Sequence, residues 1–300
     1  MPELSVVILS YNTKSITHNC LSALYKSLIT SDISSEIIII DNNSNDGSKD
    51  MIEHFSKNHS SKKILIKTIF NNKNKGYSFA NNQGLKFAKG KNILFINSDT
   101  IIRKISWIKL LTFLNSDSKY AVITVKVTLP SGKIDPASHR GFPTIWNSFC
   151  YFSGLENIFG KLPIIGRFFC GYHLLNLNLN SVHEIDSPSG TFYLAKSNIV
   201  KKMNGFDESF FMYGEDVDLS YRIKNQRYKI IYYPYYSVLH IKSVSGLKKE
   251  NNIIRSSTRQ NFYTAMKIFY DKHYSKKHSY FINKLVHFFI DCKLNAKWKK

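Results

Sequence analysis

An Asn-x-Asp pair, Asn97 and Asp99, stands at the end of an apolar run in FINSDT (95–100). A carboxylate at that position can hold a divalent cation that bridges a diphosphate, because hard cations prefer oxygen ligands and Mg²⁺ takes few of them from the protein. The alternative is a turn capped by Asn and Asp side chains before the next helix, which is the commoner use of these residues. On this stretch alone, the capped turn is favoured.

Two more polar residues, Asp41 and His240, end apolar runs in the same way. Asp41 can accept the ring N–H of a pyrimidine base, whereas the nearby Asp46, followed by Gly47 and Ser48, can simply begin a helix. His240 can ligate a metal ion if acids lie close to it in space. A lone histidine at a strand end is more often a hydrogen-bonded structural residue.

A denser group of acids, Glu215, Asp216 and Asp218, lies within four positions of SFFMYGEDVDLSYR (209–222). A solvated helix can carry that many acids for solubility alone. These acids directly follow a cluster of aromatic residues and methionine, which is too apolar a setting for that explanation to be sufficient.

The composition is that of a globular protein with a strong positive charge. The 300 residues are 43% hydrophobic and carry 42 Lys and Arg against 21 Asp and Glu, a net charge of +21. That excess predicts an anionic partner, which can be a nucleic acid, an anionic membrane surface or a phosphorylated substrate. The four cysteines lie far apart, which argues against a disulfide framework and a zinc site and suits a reducing cytosol.

The N-terminus, MPELSVVILSYN, has no basic leader followed by an apolar stretch and a cleavage site, so we expect no signal peptide. No run of about 18 uncharged apolar residues occurs, so we expect no transmembrane helix. The sequence also lacks G-x-G-x-x-G, which leaves nicotinamide dinucleotide binding without support.

Alternating periodicities in the first half predict the elements that position these residues. Short β-branched runs predict strands at 4–10, 36–41, 63–70, 92–97 and 120–127. Helix-compatible stretches lie between them at 14–29, 47–58, 76–89 and 104–116. This alternation predicts an α/β sandwich on a mostly parallel sheet, in which ligands bind at the carboxyl ends of the strands.

The pattern changes after about residue 128. A turn within a hairpin is predicted at 129–133, and residues 142–180 are rich in aromatic residues with poor periodicity. Beyond them, the sequence predicts a strand at 191–196, a helix at 215–226, a strand at 228–234 and a helical, basic tail from 250 to 300.

Six motifs, taken in order, resemble family 2 glycosyltransferases of the GT-A fold, in particular the bacterial rhamnosyltransferase-like group that builds O-antigen and capsule polysaccharides. They are VVILSYN, IIIIDNNSNDGS, NKGYSFANNQG, ILFINSDT, SPSGTFYLAKSNIVKKMNGFDESFFMYGEDVDLSYRI and HIKSVS, spread over roughly 4–245. The resemblance implies a Rossmann-like α/β/α sandwich with a mostly parallel central sheet, followed here by a C-terminal helical extension.

The same resemblance implies an inverting, metal-dependent hexosyltransferase. It would move a sugar from a nucleotide-diphosphate donor, dTDP-rhamnose or a UDP-sugar, to a hydroxyl of a growing cell-surface glycan linked to polyprenyl diphosphate. The cofactor implied is Mn²⁺ or Mg²⁺. The expected location is cytoplasmic, peripheral on the inner face of the cell membrane.

Carried over to this chain, the resemblance gives each matching residue a role. Those implied to contact the nucleotide are Ser10, Tyr11, Asn12, Asp41, Gly76, Asn82 and Asn97. Asp99 and His240 would hold the metal ion, and Asp216 would be the general base. Residues implied on the acceptor side are Gly190, Tyr213 and Glu215. Asp218 is expected to be structural.

The chain departs from the family pattern at four positions. Asn97 stands where many relatives have Asp, and Gly214 stands where an aromatic residue is more typical. Arg227 and Ser243 each replace a common glycine, after the acid-bearing helix and after His240. None of these changes removes a reacting group.

We expect a catalytic domain at 1–245, with a nucleotide-binding half at 1–127 and an acceptor-binding half at 128–245, and a basic amphipathic tail at 246–300. The tail can lie on an anionic membrane or pack its apolar stripe on the catalytic domain with its lysines in solvent. The aromatic segment 142–169 can form an acceptor mouth or a second membrane contact, or pack on the core as a lid.

Two other classes of function remain open. A nucleic-acid-binding protein would explain the pI of about 9.7, but the charge is spread along the chain and no nucleic-acid module is recognisable, so we expect no nucleic-acid partner. An inactive relative that serves as a scaffold is the other alternative. The sequence motifs do not distinguish between donor sugars, acceptors or oligomeric states.

Overall fold

The β-branched runs of the first half form strands of one sheet, and the stretches between them form helices. The computed structural model describes residues 1–242 and 252–295. The strands of these residues are β1 (Leu4–Ser10), β2 (Ser35–Asp41), β3 (Ile64–Phe70), β4 (Asn92–Asn97), β5 (Thr100–Ile102), β6 (Tyr120–Thr128), β7 (His183–Ile185), β8 (Tyr193–Lys196) and β9 (Lys229–His240). The helices are α1 (Lys14–Ile29), α2 (Ser48–His59), α3 (Tyr77–Phe87), α4 (Trp107–Asn115), α5 (Ile145–Ser153), α6 (Leu155–Phe159), α7 (Gly166–Phe169), α8 (Ser197–Lys202), α9 (Glu215–Asn225), α10 (Asn252–His273) and α11 (Tyr280–Asn295).

The sheet is mostly parallel, as predicted. Its strand order is β3-β2-β1-β4-β8-β6-β9-β5, with β7 also paired to β9. Strands β1, β2, β3, β4, β6 and β9 run in one direction, and β5, β7 and β8 run in the other. The antiparallel β8 lies between β4 and β6 and thereby joins the two halves of the chain into one sheet.

Helices cover both faces of the sheet, which confirms the α/β/α sandwich. One core packs α1, α2 and α4 against one face, through side chains such as Leu24, Phe55 and Leu110. The other core packs α3, α8 and α9 against the opposite face, through side chains such as Leu85 and Leu219.

Strand β9 is longer than the predicted strand, which ended at Pro234. Proline lacks a backbone N–H and interrupts the hydrogen-bond ladder, so the prediction stopped there. The structure absorbs Pro234 in an irregularity, because Val125 pairs with Tyr233 and the next residue of β6, Lys126, pairs with Ser237. The strand then continues to His240 and carries that residue to the edge predicted to bind ligands.

The turn at 129–133 closes through a single bridge between Thr128 and Ile134 and does not continue into a regular hairpin. The segment that follows contains the three short helices α5, α6 and α7, none of which the periodicity predicted.

The helical tail divides into α10 and α11. Ala265 and Phe269 of α10 pack with Phe210 and Val217 in a third core, so α10 is packed on the acid-bearing segment. The proposed domain boundary at 245/246 lies outside the described residues and stays a prediction. No helix of the described part of the chain is both long and apolar enough to cross a membrane.

Candidate active site

The carboxyl ends of three neighbouring strands meet at one edge of the sheet. β1 lies between β2 and β4, Ser10 pairs with Asp41, and Leu9 pairs with Asn97. Three residues predicted to contact the nucleotide, Ser10, Asp41 and Asn97, therefore lie side by side. This edge is where open α/β sheets bind ligands.

The loop after β2 is shaped around Asp41 and Asn12. Both carboxylate oxygens of Asp41 accept hydrogen bonds from Ser44, one from its backbone N–H (2.9 Å) and one from its hydroxyl (2.6 Å). The Asn12 backbone N–H donates to the same hydroxyl (2.8 Å), and its side-chain oxygen accepts from Asn45 (2.9 Å). Contact of Asp41 and Asn12 with a base stays a prediction.

Ser10 and Tyr11 face different surroundings. The Ser10 hydroxyl is buried and shares a hydrogen bond with the Thr17 hydroxyl of α1 (3.2 Å). Tyr11 is exposed at the edge of the sheet. Of these two residues, Tyr11 is therefore the one available to stack on a bound nucleotide.

Asp99 and His240 are brought together by the pairing of β5 with β9, in which Thr100 lies opposite His240. Nε2 of His240 is 3.3 Å from Oδ1 of Asp99. On the other side of the ring, Nδ1 donates to Oδ2 of the fully buried Asp135 (2.7 Å), whose Oδ1 accepts from the Lys242 ammonium (3.0 Å).

These contacts determine the protonation state of His240. Burial lowers the pKa of His240, but the hydrogen bond with Asp135 and the nearby Asp99 carboxylate outweigh it and raise the pKa to about 9. Burial raises the pKa of Asp135, but His240 and Lys242 outweigh it and hold that pKa far below its ordinary 3.8. Without a cation, His240 is therefore protonated on both nitrogens at neutral pH, with Asp135 holding the Nδ1 proton; a cation bound at Nε2 would displace the other proton.

Two buried atoms at this position suit a divalent cation. Within the described residues, Oδ2 of Asp99 and Nε2 of His240 have no hydrogen-bond partner of good geometry, and Nε2 lies 3.3 Å from Oδ1 of Asp99. Across residues 1–242 and 252–295, no group of three His, Cys, Asp or Glu side chains is placed to hold a metal ion by itself. The two residues therefore fit Mn²⁺ or Mg²⁺ with the remaining ligands supplied by water and phosphate oxygens.

The acid pair begins α9. Gly214 precedes it with a φ of +80°, a left-handed conformation that suits the glycine found here better than the more typical aromatic residue. Glu215 and Asp216 are buried. The Asp216 carboxylate accepts from the Arg140 guanidinium (2.7 Å), which also donates to a backbone carbonyl (3.1 Å). Arg140 thus fixes the orientation of the Asp216 carboxylate.

No ion pair to Glu215 is found among residues 1–242 and 252–295. The Oε2 atom of this residue is buried without a hydrogen bond, and burial together with the adjacent Asp216 raises the pKa of Glu215 from 4.5 to about 8. Unpaired carboxyl groups with strongly shifted pKa values are typical of functional sites.

Asp218, the third acid, is an anchor between α9 and α10. Its carboxylate lies 2.7 Å from the nearest side-chain nitrogen of each of Arg222, Lys272 and His273. This is the structural role that the sequence analysis expected.

Tyr77 lies between the metal-binding pair and the acid pair. Its hydroxyl donates to the side-chain oxygen of Asn97 (3.1 Å). Burial and the charges of Glu215, Asp216 and Asp99, in that order, raise the pKa of Tyr77 well above 10. The three carboxylates therefore all lie close enough to the Tyr77 hydroxyl to disfavour its ionised form.

Gly190 and Tyr213 line the same region. A Cβ atom at Gly190 would collide with the Tyr77 hydroxyl, so only glycine fits there. Burial, followed by the charges of Glu215 and Asp99, raises the pKa of Tyr213 to about 12. Both residues are therefore close to the acids with which they were predicted to act.

Gly76 and Asn82 contact the protein loop 206–211. Gly76 has a φ of +91°, and a Cβ atom there would lie 2.5 Å from the Phe211 carbonyl oxygen. The Asn82 amide donates to the Phe206 carbonyl (2.8 Å) and to Glu208 (2.9 Å). These contacts hold the loop that leads to the acid pair, and contact of either residue with a nucleotide stays a prediction.

Three residues of the site were missed from the sequence: Tyr77, Asp135 and Arg140. Asp135 and Arg140 come from a stretch without periodicity, and only the fold brings them to His240 and Asp216. Of the motif HIKSVS, Ser243 and the two residues after it lie outside the described residues. Arg227, the other departure, has a φ of +64°, which explains why glycine is common there.

Comparison with known proteins gives the family and the fold. The model of Glycosyl transferase family 2 matches residues 5–174. The chain is 24% identical over 176 residues to rhamnosyltransferase WbbL of Escherichia coli, covering 55% of this chain and 60% of that protein. It is 26% identical over 235 residues to the probable glycosyltransferase YdaM of Bacillus subtilis, covering 78% of this chain and 49% of that protein. The matches thus span about half of each relative's length.

Solved structures share the fold. The mannosyltransferase PcManGT from Pyrobaculum calidifontis, in complex with GDP-Man and Mn²⁺, matches with a TM-score of 0.59 at 13% identity, covering 98% of this chain and 70% of that chain. S. aureus TarS 1–349, in complex with UDP, matches with a TM-score of 0.53 at 15% identity, covering 98% of this chain and 75% of that chain. At such low identity the likeness shows the GT-A fold alone.

Proposed function

The chain belongs to glycosyl transferase family 2, and from that premise we propose that it transfers a sugar from a nucleotide-diphosphate donor to a hydroxyl group of a glycan. One observation carries this proposal. Asp99, which lies beside His240, and the Glu215–Asp216 pair are far apart in the sequence, yet their carboxylates all act on the Tyr77 hydroxyl. That hydroxyl donates to Asn97 at the ligand-binding edge of the sheet.

The residues divide the work of transfer between them. Asp99 and His240 would hold a divalent cation, Mn²⁺ or Mg²⁺, with Asp135 orienting the histidine. When bound, such a cation neutralises charge on the departing diphosphate. Asp216, oriented by Arg140, accepts the proton of the acceptor hydroxyl as that oxygen attacks the anomeric carbon.

The stereochemistry follows from this arrangement. The acceptor oxygen forms a bond to the anomeric carbon while the bond to the diphosphate breaks, so direct displacement inverts the anomeric configuration. Asp216 removes the proton, and no second nucleophilic carboxylate is needed. Tyr11, Asp41 and Asn97 at the carboxyl edge of the sheet contact the nucleotide.

The donor is dTDP-rhamnose or a UDP-sugar, and the acceptor is a growing glycan linked to polyprenyl diphosphate. The similarity to the E. coli rhamnosyltransferase supports the first of these donors, and that to S. aureus TarS, solved with UDP, supports the second. A lipid-linked acceptor places the chain at the inner face of the cell membrane.

A panel of nucleotide sugars scored by thermal shift, with and without Mn²⁺, tests the proposal. We expect one donor to raise the melting temperature only when Mn²⁺ is present, because ligands that bind the folded state stabilise it. Asp99→Asn should lose that shift. Asp50→Asn, which changes an exposed acid on α2, is the matched control and should keep it. If no nucleotide sugar gives a Mn²⁺-dependent shift, the proposal fails.

A further inference from the structure

Helix α11 turns its polar side toward the protein. Three of its polar side chains are hydrogen-bonded or ion-paired to α10. The pairs are Asn283 with Tyr270 (2.7 Å), His287 with Asp271 (2.8 Å) and Asp291 with Lys267 (2.5 Å). A surface helix of a soluble protein normally packs its apolar stripe inward, whereas Ile290 is the one buried residue of α11.

The opposite side of α11 is apolar and exposed. Phe281, Leu285, Phe288 and Phe289 follow the spacing of one helix face, and Phe281 and Phe288 are 74% and 60% exposed. The phenylalanine face is therefore not the part of the tail that packs on the catalytic domain; that part is α10, through Ala265 and Phe269.

A second apolar surface lies on α5, α6 and α7. Its exposed members include Trp146, Phe149, Ile158, Ile164 and Phe168, of which Ile164 is 81% exposed. The alternative of a lid packed on the core is therefore wrong for these side chains. Surfaces of this kind, far larger than scattered apolar residues, mark contact with a membrane or another molecule.

The two apolar surfaces adjoin at the end of α11. The Lys293 ammonium lies 5.2 Å from the centre of the Phe152 ring of α5. The Lys293 carbonyl accepts a hydrogen bond from the Arg259 guanidinium of α10, which ties the end of α11 in place. The phenylalanine face and the α5–α7 segment are therefore held next to one another.

Positive charges accompany both surfaces. Lys161 and Arg167 belong to the α5–α7 segment, and Lys276, Lys284 and Lys293 accompany α11. A second copy of the chain would bring two molecules of net charge +21 together, which is electrostatically unfavourable. An anionic bilayer complements both the charge and the exposed apolar side chains.

We propose that the outer face of α11 and the α5–α7 segment form one docking surface for an anionic lipid bilayer. Phenylalanine and isoleucine side chains enter the boundary between headgroups and acyl chains, and the lysines contact the headgroups. The binding of this surface to a bilayer does not depend on the proposed function. Only its role rests on that function, since docking would bring the active site to a lipid-linked acceptor.

Co-sedimentation with vesicles tests the proposal. We expect the protein to bind vesicles of phosphatidylcholine with about 30% phosphatidylglycerol, and to bind pure phosphatidylcholine far more weakly. Phe281→Ser/Phe288→Ser and Phe149→Ser/Ile164→Ser should each weaken binding to the anionic vesicles at least about tenfold, because each removes two membrane-inserting side chains. Phe87→Ser/Ile108→Ser is the matched control, since these side chains are 54% and 53% exposed on α3 and α4, and it should bind normally.

Point variants are preferable to removal of the helical tail. A truncation that removes Lys272 and His273 of α10 would also remove their ion pairs with Asp218. Equal binding by all variants would overturn the proposal, as would a dimeric protein that the Phe281→Ser/Phe288→Ser change makes monomeric without affecting vesicle binding. Thermal shift with Mn²⁺ and nucleotide sugars on the same variants separates the two proposals. A protein that binds vesicles but no nucleotide sugar would refute only the proposed function.

Discussion

Glu215 and Asp216 are neighbours in the chain, yet their carboxylates lie in different surroundings. Arg140 holds Asp216 in one orientation, whereas Oε2 of Glu215 is buried without a partner. A carboxylate that must meet one particular hydroxyl benefits from a fixed orientation. The acid without a partner is free to bind a group of the substrate.

This difference predicts the outcome of two isosteric changes. Asp216→Asn should lower kcat at least about a hundredfold, because the amide cannot accept the acceptor proton, while donor binding with Mn²⁺ stays unchanged. Glu215→Gln is the matched control and should lower kcat less. Steady-state kinetics with the donor found by thermal shift would check both. A larger loss in Glu215→Gln would transfer the role of base to Glu215.

Glu215 also predicts a pH dependence of stability. Its pKa is raised by burial and by Asp216 from 4.5 to about 8, so between these values the folded protein holds a proton that the unfolded chain releases. The free energy of unfolding should therefore fall as the pH rises from about 4.5 to about 8, relative to Glu215→Gln. Urea denaturation of both proteins near the two ends of this range measures the difference. Parallel curves would contradict the assignment.

At the scale of elements, the contact between α9 and α10 positions the acid pair. Burial raises the pKa of Asp218, but His273 and Arg222 outweigh burial and lower it to about 2. This contribution to stability is present above pH 3.8 and is lost as the pH falls toward about 2.

Removing the charge of Asp218 should therefore loosen α10. We expect Asp218→Asn to destabilise the protein by about 3 kcal/mol at neutral pH, because it leaves partly buried cations without their partner. Asp207→Asn, which loses only the pair with Lys272 near the surface, is the control and should cost less than about 1 kcal/mol. Chemical denaturation compares the two, and equal losses would contradict the anchoring role of Asp218.

The elements also differ in how far the sequence predicts them. The strands β1 to β4 follow from continuous β-branched runs, and Asp41 and Asn97 could be placed at their ends for that reason. The run TFYLAK predicts a strand but neither its direction nor its neighbours, so the insertion of β8 between β4 and β6 was not foreseeable. Asp135 and Arg140 enter the site through long-range packing, which leaves no local signal.

At the scale of the whole molecule, the net charge of +21 has more than one possible partner. The proposed docking surface would place part of that charge against lipid headgroups, and the proposed function would place a diphosphate in the active site. Neither proposal needs a nucleic acid. Any binding of oligonucleotides should then reflect the general charge of the molecule.

Such binding has a recognisable salt dependence. We expect the affinity for a single-stranded oligonucleotide to fall more than about tenfold between about 50 and 200 mM salt, because binding that neutralises phosphates releases counterions. It should also be independent of Mn²⁺. Fluorescence anisotropy across this salt range measures it, with the Mn²⁺-dependent thermal shift of the donor as a comparison in the same buffers. Oligonucleotide binding that resists salt and prefers one sequence would favour a nucleic-acid partner instead, because contacts to bases persist where phosphate contacts weaken.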